Sequence, residues 1–195
     1  LMHQYIETVI PDWLYKEVEE YFTPLPFVPR TILDIGANVG AFAQRANQKW
    51  PAAKIYCFEP MPYNVMHLRR NVPVGTDVTS AAIRAESGLD NIYIGDKPVT
   101  GGFVKGDRQT KNQLLVECIS AKELPCCDLV KIDTEGSEVE IIECLKLDSV
   151  KAIFLEYHSL DDANKLQGIL KKQFNLTSKK EDGSMGILCF VSKTI

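Results

Sequence analysis

The sequence predicts an α/β domain built on a mostly parallel, doubly wound sheet, and three observations carry that expectation. Short apolar segments of strand length alternate with longer amphipathic ones along the chain. A glycine-bearing turn, Asp34-Ile35-Gly36-Ala37-Asn38-Val39-Gly40, follows the first apolar segment, at the point where open α/β sheets bind ligands. The chain then closes on two strand-like stretches around Glu181-Asp182-Gly183, which adds an antiparallel hairpin to the C-terminal edge.

The elements follow in order. Residues 12–22 have Leu14, Val18, Tyr21 and Phe22 on one helical face. Pro24, Pro26 and Pro29 then force an extended linker. Residues 31–35 form a buried strand ended by Gly36, and a helix from Ala41 to Trp50 is closed by Pro51. A strand at 54–59 and a helix at 63–71 come next, then a third strand at 78–83. Residues 86–112 carry scattered glycines and one strand-like piece, Asn91 to Ile94. Strands are expected at 114–119, 129–133 and 152–157, with helices at 137–145 and 161–174. Ser137 and Glu140 have the spacing of a capping box for the first of those helices. No repeat or low-complexity segment interrupts the pattern. Residues 1–195 read as one domain, with 1–30 as an N-terminal helix and linker and 31–195 as the ligand-binding core.

Bulk composition narrows the partners. The 195 residues are 45% hydrophobic and 25% charged, enough for a sizeable core without staples. The net charge of −4 argues against nucleic acid, whose phosphates select a basic face. No apolar run approaches the roughly 20 residues of a membrane span, and no leader pattern is visible. The six cysteines show no metal-ligand or CxxC spacing. They read as reduced thiols of a cytoplasmic protein. The oligomeric state is left open.

The glycine turn suits a nucleotide-like ligand. Glycine lets the backbone bend sharply and lets the ligand approach the main chain, and free N–H groups at a helix start would face it. A dinucleotide fingerprint would need glycines at positions 38 and 41, where this chain has Asn38 and Ala41. Glu59, 23 residues after Gly36, ends the second strand in Phe58-Glu59-Pro60. An acid at that distance accepts hydrogen bonds from ribose hydroxyls.

Leu33 to Gly40, then Phe58-Glu59-Pro60 with Asn64 and Asn71, then Lys131-Ile132-Asp133-Thr134-Glu135-Gly136-Ser137-Glu138 resemble the FkbM-type methyltransferases. The resemblance runs from about residue 31 to 158 and more faintly beyond. It implies a Rossmann-like class I methyltransferase fold and S-adenosylmethionine as cofactor. It also implies O-methylation of a sugar or another small hydroxylated molecule. Carried over residue by residue, it assigns Asp34, Gly36, Asn38 and Gly40 to the cofactor loop and Glu59 to the ribose. Ser80 and Ala81 become adenine neighbours, and Asp133 borders the cofactor.

Asp133 and Glu135 are expected at the carboxyl end of a central strand, with Glu156 and His158 at the end of the next. Strands lie about 4.8 Å apart, so these groups share one crevice. Methyl transfer to oxygen needs a group that takes the hydroxyl proton as the bond forms. His158 is the leading base because free imidazole titrates near 6.5, and Asp133 and Glu135 follow. No metal is required by the resemblance, although the oxygen-rich edge would suit a hard cation. Lys131 is expected to be buried in a strand, where an ion pair with Glu156 or another acid and a contact with substrate are equally open readings. Residues 95–107 could form a lid hinged at Gly101-Gly102. Trp13, Tyr15 and Tyr21 are candidates to face substrate or to fill the core. The alternatives are an N-methyltransferase acting on a macromolecule, a non-catalytic S-adenosylmethionine-binding partner subunit, and a nicotinamide oxidoreductase. A Gly36→Val change is expected to abolish cofactor binding in a chain that still folds.

Overall fold

A computed structural model of the protein describes residues 10–95, 101–102 and 109–195. Helix α1 spans Asp12–Glu19 and precedes strand β1, Thr31–Ile35. Then come α2 Ala41–Lys49, β2 Lys54–Phe58, α3 Pro62–Asn71 and β3 Asp77–Thr79. A second group of strands follows: β4 Ala82–Arg84, β5 Gly88–Gly95, β6 Gly101–Gly102 and β7 Gln109–Ser120. The chain continues with β8 Leu129–Ile132, α4 Glu138–Cys144, β9 Ala152–Tyr157 and α5 Leu160–Leu170. It ends with β10 Phe174–Asp182 and β11 Met185–Ser192.

The main sheet has seven strands in the order β10-β11-β9-β8-β1-β2-β3. Strands β3, β2, β1, β8 and β9 run parallel, and β11 and β10 pair antiparallel at the far edge. The expected doubly wound sheet with its closing hairpin is therefore present. The order reverses between β1 and β8, and that switch point opens a crevice beyond the strand ends.

Strand alternation sorts side chains onto two cores. Leu33, Ile35, Val130, Ile132, Ile153 and Leu155 pack beneath α4 and α5. Ile32, Leu129, Ala152 and Phe154 face α1 and α2, where Phe42 and Trp50 fill the space. Asp34 and Lys131 fall on that second face and are register partners. Helix α1 and the turn after it are anchored to α2. Phe22 stacks on Phe42, Tyr15 donates a hydrogen bond to Gln44, and Glu19 pairs with Arg45.

Three expectations change. The strand predicted at 78–83 is two strands, because the chain leaves the main sheet after Thr79 and re-enters a second one at Ala82. That second sheet, β4-β7-β5-β6, absorbs the segment expected at 114–119 and buries Ile92, Val116 and Cys118 over Met61 and Ala82. No capping box forms at Ser137, whose side chain makes no cap bond. Glu140 instead pairs with Arg84. All six cysteines are free thiols, four of them buried. Among the described residues no helix is long and apolar enough to cross a membrane.

Candidate active site

A cavity sits at the switch point, above the ends of β1, β2, β8 and β9. Gly36 to Asn38, Phe58 to Met61, Asn64 and Ala81 to Ile83 line one half. Lys131, Asp133 to Glu135, Glu156 and His158 line the other, together with Glu17 and Tyr21. Trp13 and Met185, about half exposed, stand among its lining residues.

The glycine turn is built for closeness. Gly36 has φ of +75°, and a Cβ there would lie 1.7 Å from the Asp133 carbonyl oxygen. Any side chain at Gly36 would therefore push the ends of β1 and β8 apart. Gly36→Val should thus unfold this region, which corrects the expectation that such a variant folds normally. Gly40 turns the chain into α2 with φ of +97°, against Leu68 and Val72. Asn38 is left-handed at φ 51°, a conformation that Asn tolerates better than most residues.

Three N–H groups of the loop are spent inside the protein. Those of Gly36 and Ala37 both donate to Phe58 O at 3.0 Å, and that of Asn38 donates to Glu59 Oε2 at 2.9 Å. Glu59 Oε1 accepts from Met61 N at 3.0 Å and from Asn64 Nδ2 at 3.2 Å. Glu59 is buried, and burial raises its pKa against these three donors. Asn71 donates to Val39 O at 2.8 Å and fixes the far side of the loop.

The second half is a charge network. Lys131 Nζ lies 3.3 Å from Asp34, 3.4 Å from Asp133 and donates to Gly36 O at 2.7 Å. It is almost fully buried, and its partners are Asp34 and Asp133, where Glu156 was named first. Burial pushes the Asp34 pKa up and Lys131 opposes it. Burial also acts upward on Asp133, but Lys131, a hydrogen bond with Glu156 and the nearby His158 together hold that carboxylate below its usual range. Tyr21 donates to Asp133 Oδ2 at 3.3 Å. Burial and the Asp133 charge drive Glu156 well above the usual carboxylate range.

Glu138 ties the loop between these strands. Its carboxylate accepts from Thr134 N at 2.8 Å, Thr134 Oγ1 at 3.0 Å and Gly136 N at 3.1 Å. This grip holds Glu135 in the left-handed region at φ 57°. His158 lies 3.3 Å from Glu135 and 3.6 Å from Glu138. Burial lowers its pKa, yet Glu138, Glu135 and Asp133 together push it up to about 9. The free-imidazole titration that favoured His158 as base does not apply here, because the ring is cationic at neutral pH.

Of the residues singled out from sequence, Gly36, Asn38, Glu59, Ala81, Asp133, Glu135 and His158 line the one cavity. Asp34 and Gly40 do not line it. Asp34 lies fully buried against Lys131, and Gly40 starts α2. Ser80 is exposed and outside the lining, because the turn from β3 to β4 carries it away. Ala82 and Ile83 stand beside Ala81 instead. Asn64 was quoted only within the family resemblance and given no role there, and Met185 carried no sequence signal; both line the cavity. The proposed lid falls mainly on residues 96–100 and 103–107, outside the described residues. Asp133, Glu156 and His158 each offer a ligand atom within 4.8 Å of the others, a grouping of metal-binding size.

The Methyltransferase FkbM domain model matches residues 34–177. The chain belongs to the FkbM methyltransferase family. The methyltransferase sdnD of Sordaria araneosa is 26% identical over 73% of this chain and 72% of that protein. The 2-O-methyltransferase NoeI of Sinorhizobium fredii is 30% identical over 65% of this chain and 62% of its own length. The fold is that of class I methyltransferases. Ribosomal protein L11 methylase from Lactobacillus delbrueckii superposes with a TM-score of 0.58 at 11% identity, covering 94% of this chain and 81% of that one. TrmK of M. capricolum, solved with S-adenosylhomocysteine, superposes at 0.53 and 12% identity, covering 95% and 70%.

Proposed function

We propose that this FkbM methyltransferase carries a methyl group from S-adenosylmethionine to a hydroxyl of a sugar or another small molecule. The observation that carries this reading is the single cavity joining a glycine loop clamped by Glu59 to a wall of Asp133, Glu135, Glu156 and His158. NoeI, named for 2-O-methylation, supports oxygen as the acceptor atom. TrmK, solved with S-adenosylhomocysteine, supports the cofactor.

The residues fit such a donor. Asn38 lines the cavity, and its buried Oδ1 has no protein partner. Buried polar atoms left this way call for a ligand. Glu59 spends three acceptor sites on the loop, and a carboxylate has about four, so one remains for a ribose hydroxyl. The alanines Ala81 and Ala82 leave room for a flat base. When bound, the cofactor supplies an electrophilic methyl on a sulfonium.

The protein must then position the acceptor oxygen and take its proton. Glu135 fits the base role better than His158. Burial raises its pKa toward the useful range, and its side chain is about half exposed. The His158 cation, 3.3 Å away, orients it and stabilises the carboxylate. Asp133, held ionised by Lys131 and Tyr21, accepts a hydrogen bond from a second acceptor hydroxyl. Lys131 already compensates Asp133, so the reading needs no metal.

Calorimetric titration with S-adenosylhomocysteine, with NAD as control, tests the donor half. Radiolabelled methyl transfer to a panel of neutral glycosides, with and without EDTA, tests the acceptor half. Glu135→Gln is expected to cut turnover by about 100-fold with donor affinity kept. Binding of NAD alone, or label appearing on nitrogen, would overturn the proposal.

A further inference from the structure

Among the described residues, five carboxyl groups line the cavity against two basic ones, Lys131 and His158. Four of the five gather on the acceptor side: Glu17 from α1, Asp133 and Glu135 after β8, and Glu156 at the end of β9. The two basic groups are already engaged, Lys131 with Asp34 and Asp133, and His158 with Glu135. Glu156 forms no salt bridge among the described residues, although Lys131 and His158 stand near it. Its carboxyl lies within 4.8 Å of Asp133 and His158. The titratable groups facing it are Lys131 from β8, Asp133 just after β8, His158 just after β9, Glu17 from α1 and Tyr21 from the turn after α1. On the β11 side its register partner is the uncharged Ile187.

We propose that the Asp133–Glu156 pair reads the charge of the methyl donor, holding the cationic donor more tightly than its neutral product. The inference rests on the cofactor reading given above. In the empty cavity Glu156 keeps a proton that Asp133 helps to hold, because burial and repulsion disfavour two adjacent carboxylates. A positive charge entering this half of the cavity replaces that proton, which leaves to solvent, and both acids then face it ionised. S-adenosylmethionine carries one net positive charge at neutral pH. S-adenosylhomocysteine, having lost the sulfonium, carries none and leaves the proton on Glu156. Loss of the methyl group would thus loosen the product at the moment it forms.

Calorimetry on the intact chain at about pH 7.5, in phosphate and in Tris, tests this. The probes are S-adenosylmethionine, S-adenosylhomocysteine and sinefungin, whose ammonium group stands where the sulfonium methyl would be. Both cationic ligands are expected to bind at least about tenfold tighter than the neutral product. Their enthalpies should differ between the two buffers by release of a proton, while that of S-adenosylhomocysteine should not. Glu156→Gln should erase the preference and the buffer effect and keep the affinity for the neutral product. If that variant does not fold, the wild-type ranking and buffer dependence decide alone. Equal or tighter binding of S-adenosylhomocysteine, or no buffer dependence, would overturn the inference. Failure of all three ligands to bind would instead sink the cofactor reading.

Discussion

Lys131→Met takes away the cation between Asp34 and Asp133 while keeping a side chain of similar length in the β8 core. Asp34 is fully buried, and Lys131 is the cation beside it at 3.3 Å. At an effective dielectric near 20, each contact of that length has a Coulomb energy of about 5 kcal/mol, much of it offset by desolvation. Removing one member of a buried pair typically costs about 3–5 kcal/mol. The lost bond to Gly36 O falls within that range. With a urea slope of about 2 kcal/mol per molar, the unfolding midpoint should drop by about 1.5–2.5 M. The pH dependence supplies a second signature. Without Lys131 the Asp34 pKa rises further in the folded state, so the native protein binds more protons than the unfolded chain and loses stability as pH rises. The deficit of the variant should therefore shrink at about pH 5 relative to pH 8. Adding Asp34→Asn should recover much of the loss at neutral pH. Equilibrium urea melts read by fluorescence at both pH values would decide. A midpoint equal to wild type, or a deficit that does not shrink on acidification, would refute the assignment of Lys131 as a structural cation.

Three further tests address the site. Glu59→Gln leaves one acceptor oxygen for three donors, Asn38, Met61 and Asn64. Affinity for S-adenosylhomocysteine by calorimetry should weaken by at least about tenfold. Glu135→Gly removes a side chain from a left-handed backbone position, where the strain of about 1–2 kcal/mol exceeds the entropy cost of glycine. Its melting temperature should rise by about 2–4 °C while methyl transfer falls, and a lower melting temperature would contradict the strain argument. His158 has a folded pKa of about 9, above its free value of 6.5. Its stabilisation is therefore fully present below pH 6.5 and lost as pH rises through about 9. Thermal melts across that window should slope downward in the wild type and flatten in His158→Gln.

The parallel core was legible because buried strands of the Leu129–Ile132 kind are short, apolar and bounded by turn residues. Glycine loop and acid were legible because their spacing reflects a fixed βαβ geometry. The break at Ser80 and Ala81 was not, since Val78 to Ile83 contains no glycine or proline to mark a turn and only the competing sheet divides it. The second sheet hid behind scattered glycines, because its pairing of β5 with β7 is a tertiary fact. Glu138 stands in the first turn of α4, where the helix dipole alone would favour an acid. Its grip on Thr134 and Gly136 depends on a loop geometry that residue type does not encode. The same holds for His158, whose charge state follows from three acids brought to it by folding.

The near-contact of Gly36 with the Asp133 carbonyl has a bearing on how such a scaffold diversifies. The glycine loop and the loop after β8 meet main chain to main chain, with the Lys131 ammonium bonded to the Gly36 carbonyl beneath. Neither loop can be lengthened or re-aimed alone without dragging the other, so drift toward a new acceptor is barred from the floor of the cleft. Freedom to vary is left to the half-exposed Trp13 and Met185, contributed by opposite ends of the chain and tied to neither loop. Libraries aimed at altered acceptor choice would do best to leave residues 34–38 and 131–138 untouched and to randomise around these two positions.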